Sequence, residues 1–159
     1  MANVLPLITL PAQSLREISV EVDPAVIGTP DFQLFLDDLI ATMYERNGIG
    51  IASPQVGKNI RVCIVDEKRG PQAYINPEIT KRSEVLMHDV EGCLSVPGVW
   101  GKTPRSKRIT FTALDRHGRR VQFHASGMMA TVYQHELDHL DGVLFIDRKP
   151  EIIERLSNA

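Results

Sequence analysis

The chain has 159 residues, of which 43% are apolar and 24% charged, a balance typical of one globular domain spanning residues 1–159. Its formal net charge of −2 gives no field that would attract nucleic acid or an anionic membrane. Two cysteines do not form a disulfide framework and no apolar run reaches the length of a membrane span, so we expect a cytoplasmic protein.

The first element in chain order is a helix over residues 31–46, where apolar side chains recur at helical spacing. Thr29 is its expected N-cap and Pro30 its first residue. The sequence "RNG" should end it, with Asn47 or Gly48 in the left-handed conformation.

Short runs in the middle of the chain predict strands. "IRVCIVD" is typical of a buried strand, and "AYIN" and "SEVLM" predict shorter ones. "RITFTALD" and "RRVQFHA" alternate with period two around the turn "RHG", which predicts a hairpin.

The last predicted helix spans residues 126–141 and ends at Gly142. It is apolar on more than one side, which indicates a buried position. We therefore predict an α+β fold in which small mixed or antiparallel β-sheets surround this central helix.

This helix carries the pattern H-E-x-x-H. His135 and His139 are four residues apart, so one helical face can direct both imidazoles to one metal ion. Glu136 lies next to the first histidine, where it can reach a water on the metal. Because catalytic zinc-type sites use three protein ligands, one is still needed.

There are three possibilities for the third ligand. The metzincin pattern would place a histidine where this chain has Phe145, which cannot ligate. A downstream glutamate, Glu151 or Glu154, is a thermolysin-like alternative close to the chain end. The preferred ligand is Cys93 in "VEGCLSVPG", whereas Cys63 inside "RVCIVD" is interpreted as a buried structural cysteine.

A second unusual stretch is "NGIGIASPQVG". Its small residues let a backbone pass close to a ligand or to a neighbouring strand. Gln55 carries a neutral amide that can donate a hydrogen bond to a developing oxyanion. The alternative is that Gln55 is an ordinary loop glutamine.

Taken together, "GIGIASPQ", "EGCLS" and "QHELDH" resemble the three signature motifs of the peptide deformylases. The resemblance implies a metal-dependent hydrolase that removes the formyl group from the N-terminal methionine of new polypeptides and releases formate. It implies one divalent ion, Fe²⁺ with Zn²⁺ or Ni²⁺ as substitutes, held by Cys93, His135 and His139.

The resemblance also implies further roles. Glu136 would be the general base and then acid, while Gln55 and the backbone N–H of Leu94 would hold the formyl oxygen. Residues expected to bind the peptide backbone are Gly48, Ile49, Gly50 and Gly92. Met128 and Val132, on the helical face shared with His135, are expected to line the methionine slot or to be plain core residues.

The chain departs from the family pattern at several places. Ser53 stands where an alanine is common, and Asp89 should make the pocket rim more polar. The ending "EIIERLSNA" is short for the family, so transient ribosome association is doubtful. The competing hypotheses are a metallopeptidase that uses Glu151 or Glu154, and a structural metal domain or inactive relative that only binds acyl peptides.

Overall fold

Two α-helices and eight β-strands form the regular structure of residues 2–156, which the computed structural model describes. In chain order they are α1 (Pro30–Glu45), β1 (Gly50–Ala52), β2 (Val62–Glu67), β3 (Gly70–Arg82), β4 (Leu86–Cys93), β5 (Val96–Ser106), β6 (Arg108–Leu114), β7 (Arg120–Ser126), α2 (Gly127–Leu140) and β8 (Glu151–Arg155).

The strands form two antiparallel sheets. One has five strands in the order β1-β2-β3-β6-β7, and the other has three in the order β4-β5-β8. Helix α2 contacts strands of both sheets. The predicted α+β fold with small sheets around a central helix is therefore confirmed.

The two helices lie on opposite faces of the five-stranded sheet. In β2, Val62 and Ile64 belong to the apolar cluster that contains α1, whereas Cys63 and Val65 belong to the cluster that contains α2. Successive strand residues point to opposite faces, so a strand covered on both sides is apolar throughout. This accounts for the continuous run "VCIV" and for the burial of Cys63, as predicted.

Both predicted helices are present, and their boundaries follow local capping. The hydroxyl of Thr29 accepts a hydrogen bond from the backbone N–H of Phe32 at 3.3 Å, and Asn47 closes α1 with φ of 56°. Helix α2 is buried from Ala130 to Leu140. Within residues 2–156, no helix is long and apolar enough to cross a membrane.

The strand predictions were less accurate. The hairpin β6–β7 and the strand β2 are where the patterns predicted them, and "AYIN" lies inside the longer β3. The predicted strand 83–87 actually begins at Leu86 and continues to Cys93, so Cys93 is the last residue of a strand. Strands β1, β5 and β8 were not predicted.

Candidate active site

Three predicted ligands meet where β4 runs beside α2. The ligand atoms of Cys93, His135 and His139 all lie within 4.8 Å of one another, a group that can hold a metal ion. Sγ of Cys93 is 3.3 Å from Nε2 of His139. Burial lowers the pKa of His139 well below its usual value. The ring is therefore neutral, as a metal ligand must be.

The candidate ligands belong to a series of side-chain contacts that repeats along β4 and α2. Cys93 contacts His139; two residues earlier on the strand, Oε1 of Glu91 lies 2.8 Å from Nδ1 of His135 one turn earlier on the helix. Two residues of strand advance about 6.6 Å and four residues of helix about 6 Å, so the two elements stay in step. The next contact in the series joins Asp89 to Thr131.

Glu91 fixes the orientation of His135. Its carboxylate accepts the hydrogen bond from Nδ1, which leaves Nε2 available for a metal ion. Burial alone would raise the pKa of Glu91, but hydrogen bonds from His135 and Arg105 outweigh it and lower the pKa. Glu91 therefore stays ionised and can orient the imidazole.

A chain of ion pairs extends from Glu91 to the protein surface. The Arg105 guanidinium donates two hydrogen bonds to Glu91, at 3.0 and 2.9 Å, and a third to Asp138 at 2.6 Å. Arg148 donates to both oxygens of Asp138 at 3.0 and 2.7 Å. Buried charges are tolerated when each is paired in this way, so the chain holds the carboxylate behind His135 in place.

Glu136 points its carboxylate at the glycine motif. Glu136 is only 4% exposed, and its Oε1 has no hydrogen-bond partner within the described part of the chain. Burial raises the pKa of Glu136 to about 7, His135 opposes this rise, and Glu91 adds to it. A Cβ atom on Gly50 would lie 2.4 Å from Oε2 of Glu136. A glycine is therefore needed here so that the carboxylate can lie against β1.

Gln55 turns its amide toward the thiol of Cys93. Its Oε1 accepts from the backbone N–H of Ala52 at 2.9 Å, which fixes which end of the amide is the donor. Its Nε2 donates to Oγ of Ser95 at 3.2 Å and lies 4.0 Å from Sγ of Cys93. An amide donor thus faces the candidate metal site.

A cleft of about 1040 Å³ opens beside these groups. The residues that were predicted to act in catalysis or substrate binding, and that line this cleft, are Gly48, Ile49, Gly50, Gln55, Gly92, Leu94, Met128, Val132 and Glu136. Val132 is buried whereas Met128 is 62% exposed, so Met128 lies toward the mouth. The cleft is large enough for a short peptide.

Trp100 and Gly92 shape one wall of this cleft. The pairing of β4 with β5 is irregular between Glu91 and Cys93, and the extra β5 residues bring Trp100 over Gly92. A Cβ on Gly92 would lie 2.3 Å from the indole ring. Irregular pairing of this kind often redirects side chains next to active sites. Gly92 therefore makes room for an aromatic wall that the sequence did not reveal.

Neither Phe145 nor the two glutamates of β8 belongs to the group of candidate ligands found among residues 2–156. Phe145 is 1% exposed and stacks on His135, with ring centroids 6.1 Å apart. Glu151 and Glu154 are exposed residues of β8, which pairs with β5. The aromatic ring that replaces a metzincin histidine thus packs against a candidate ligand.

Sequence reasoning missed the residues that support the candidate ligands, namely Glu91, Arg105, Asp138 and Arg148. One available signal was the alternation of Asp89, Glu91 and Cys93, which places all three on one strand face. Their helical partners depend on how β4 lies against α2, which no local pattern encodes.

Comparison with known proteins gives a consistent result. The family model of polypeptide deformylases matches residues 4–155. "Peptide deformylase 2" of Xanthomonas axonopodis pv. citri is 44% identical over 147 residues, which is 91% of this chain and 86% of that protein. A peptide deformylase of Fusobacterium nucleatum subsp. nucleatum is 41% identical over 89% of this chain and 82% of its own length.

Solved structures agree with the sequence relatives. The Met-Ala-Ser-bound class I type b peptide deformylase of Acinetobacter baumannii superposes with a TM-score of 0.88 at 35% identity, covering 93% of this chain and 99% of that one. The Synechococcus elongatus enzyme in complex with actinonin gives 0.85 at 37% identity, covering 91% of this chain and 78% of that one. This chain therefore belongs to the polypeptide deformylase family, enzymes that remove the N-formyl group from newly made polypeptides.

Proposed function

We propose that this chain deformylates N-formylmethionyl peptides with one divalent metal ion held by Cys93, His135 and His139. The observation that carries the proposal is the convergence of their ligand atoms within 4.8 Å beside the cleft. A thiolate with two imidazoles suits Fe²⁺ or Zn²⁺, and we propose Fe²⁺ as the native ion with Zn²⁺ or Ni²⁺ as substitutes. Such an ion, when bound, supplies Lewis acidity that lowers the pKa of a water and polarises a carbonyl oxygen.

Glu136 is the proposed carrier of the proton. It accepts a proton from the attacking water, whose oxygen bonds to the formyl carbon, and returns the proton to the amide nitrogen as the carbon–nitrogen bond breaks. The products are formate and a free amino terminus. The pKa of about 7, caused first by burial, suits a group that must both accept and donate a proton near neutral pH.

The formyl oxygen gains negative charge during the attack. We assign its stabilisation to Nε2 of Gln55 and to the backbone N–H of Leu94. The amide end of Gln55 is held by Ala52 and Ser95, so the donor is already oriented before substrate arrives. Preorganised donors need no rearrangement at the moment of reaction, which is the source of their effect.

The peptide is proposed to bind as an added strand. β1 is an edge strand of the five-stranded sheet, so the backbone of Gly48, Ile49 and Gly50 can pair with an extended ligand, with Gly92 across the cleft. Met128 and Val132 offer an apolar slot for the methionine side chain. The Met-Ala-Ser ligand of the Acinetobacter baumannii relative is a peptide of suitable length for this cleft.

The test is formate release from formyl-Met-Ala-Ser by protein loaded anaerobically with Fe²⁺, with Zn²⁺ and Ni²⁺ loading in parallel. Glu136→Ala should keep its metal and lose about 10²–10⁴-fold in kcat. Glu84→Ala removes an exposed carboxylate outside the cleft and serves as the matched control. The proposal fails if no loaded form releases formate, and the role of Glu136 fails if Glu136→Ala turns over at the wild-type rate.

A further inference from the structure

The two donors assigned to the formyl oxygen belong to different sheets. Gln55 follows β1 of the five-stranded sheet, whereas Leu94 lies between β4 and β5 of the three-stranded sheet. Both donors must point at one oxygen atom, and hydrogen bonds weaken steeply when their geometry departs from the optimum. The two sheets therefore have to be held in a fixed relation at this place.

A short N-terminal segment joins the two loops by backbone hydrogen bonds. The N–H of Ile8 donates to the carbonyl oxygen of Gln55 at 2.7 Å. The N–H of Leu10 donates to the carbonyl oxygen of Ser95 at 3.0 Å, and Ser95 directly follows Leu94. One segment thus contacts the residue that carries the first donor and the neighbour of the residue that carries the second.

The hydroxyl of Ser95 completes this connection. It donates to the carbonyl oxygen of Ile8 at 2.7 Å, and its oxygen accepts a hydrogen bond from Nε2 of Gln55 at 3.2 Å. A carbonyl oxygen can only accept, so the single proton of the hydroxyl is committed to Ile8 and a lone pair faces the amide. Ser95 thereby holds one hydrogen of Nε2, and the other remains on the side of Cys93, whose Sγ lies 4.0 Å away.

Burial makes this hydrogen bond difficult to replace. Ser95 is 0% exposed and Gln55 is 1% exposed. Without the hydroxyl, Nε2 loses a buried acceptor, and a buried donor without a partner is costly. The amide can find another partner only by turning, while the backbone N–H of Ala52 still holds its Oε1 at 2.9 Å. Loss of the hydroxyl therefore tilts the donor of Gln55 and does not remove it.

We propose that Ser95 is a positioning residue that keeps the amide of Gln55 aligned with the backbone N–H of Leu94 on one formyl oxygen. Ile8 supplies the fixed point from which the alignment is set. The inference rests on the proposed function, because these donors act on the charge that develops in that reaction. They matter most in the transition state, in which the oxygen is negative, so misalignment lowers kcat and leaves KM unchanged.

The first experiment measures kcat and KM for formyl-Met-Ala-Ser in wild type, Ser95→Ala, Gln55→Ala and the double variant. Loss of one oxyanion donor costs about 10²–10³-fold in kcat, which is the effect expected for Gln55→Ala. Ser95→Ala misaligns this donor without removing it, so we expect kcat to fall by about tenfold with KM unchanged. In the double variant the Ser95 substitution should add nothing, because the group that it positions is gone.

Ser53→Ala is the matched control. Ser53 is also 0% exposed, and its hydroxyl donates to a backbone carbonyl, that of Lys58, at 2.5 Å. The control removes a buried serine hydroxyl from the loop of Gln55 and leaves the hydrogen bonds of the Gln55 amide in place. Thermal stability should therefore fall in both serine variants, whereas kcat should fall in Ser95→Ala alone.

A second measurement does not depend on activity. In amide NMR spectra of the Zn²⁺-loaded protein, the side-chain amide of Gln55 is assigned by the signals that disappear in Gln55→Ala. These signals should shift in Ser95→Ala and stay in place in Ser53→Ala.

The inference is overturned if Ser95→Ala keeps the wild-type kcat or leaves the Gln55 signals unchanged. It is also overturned if the Ser95 substitution lowers kcat as much in the Gln55→Ala background as in wild type, because the effect would then not act through Gln55. Absence of formate release from wild type contradicts the proposed function instead, and the NMR signals then still decide whether Ser95 holds the amide.

Discussion

Replacing Gly50 by alanine should separate catalysis from metal binding. The added Cβ would lie 2.4 Å from Oε2 and 2.9 Å from the carboxyl carbon of Glu136, whereas ordinary contact begins at 3.4 Å. The carboxylate must therefore move by about 1 Å, inside a site where it is almost fully buried. A misplacement of about 1 Å can lower a rate by about 10²-fold, which corresponds to about 2.7 kcal/mol of transition-state stabilisation.

The assay compares kcat, KM and metal content of Gly50→Ala with those of wild type, using formyl-Met-Ala-Ser. We expect kcat to fall by about 10²-fold with one metal ion still bound, because none of the three ligands is touched. Gly28→Ala is the matched control, since nothing lies within 4 Å of its added Cβ. A Gly50→Ala enzyme with wild-type kcat and full metal content would refute the reasoning that the carboxylate must lie against Gly50.

Three further predictions follow from the site and its surroundings. Cys93→Ala should lose the metal whereas Glu154→Ala keeps it, by metal analysis after dialysis; the reverse would favour the glutamate ligand. Arg148→Gln weakens the ion-pair chain behind the ligands and should speed metal release to a chelator by about threefold to tenfold, while Arg16→Gln should not. Gly142→Ala, at φ of 74° and with a Cβ 2.3 Å from a backbone oxygen, should cost about 2 kcal/mol and lower Tm by about 4–8 °C in a thermal melt.

The sequence predicted those elements whose apolar residues repeat with a simple period. Apolar residues recur at helical spacing in α1 and alternate with polar ones in β6 and β7, although β6 is buried on both faces. Helix α2 was predicted from its motif and from apolar residues on several sides. In these segments local preference and tertiary packing agree.

Strand β5 could not be predicted in the same way. Its sequence contains Pro97, Gly98, Gly101 and Pro104, residues that normally argue against a strand. It nevertheless pairs with β4 on one side and β8 on the other. Pairing with two neighbouring strands outweighs the low strand preference of these prolines and glycines. The irregular stretch of the β4–β5 pairing leaves room for the glycines. Only the long-range contacts specify this strand.

The candidate active site likewise combines residues that a local pattern predicts with residues that only long-range contacts bring together. His135, Glu136 and His139 occur in one short motif, so their spacing alone predicts a metal site with an adjacent glutamate. The pairing of Glu91 with His135 and of Arg105 with Asp138 joins residues 44 and 33 positions apart. No local pattern fixes such pairs, because they depend on how β4 lies along α2.

That arrangement explains why the third candidate ligand comes from upstream. Two histidines four residues apart supply two candidate ligands from one face of α2. The third candidate ligand must then come from a neighbouring element. A strand running alongside supplies a side chain about every 6.6 Å on its inner face, close to the rise of one helical turn. Cys93 and Glu91 thus reach His139 and His135 together, as ligand and orienting carboxylate. A one-residue shift of β4 would turn both outward at once, so the pairing of β4 with β5 and the candidate metal site depend on each other.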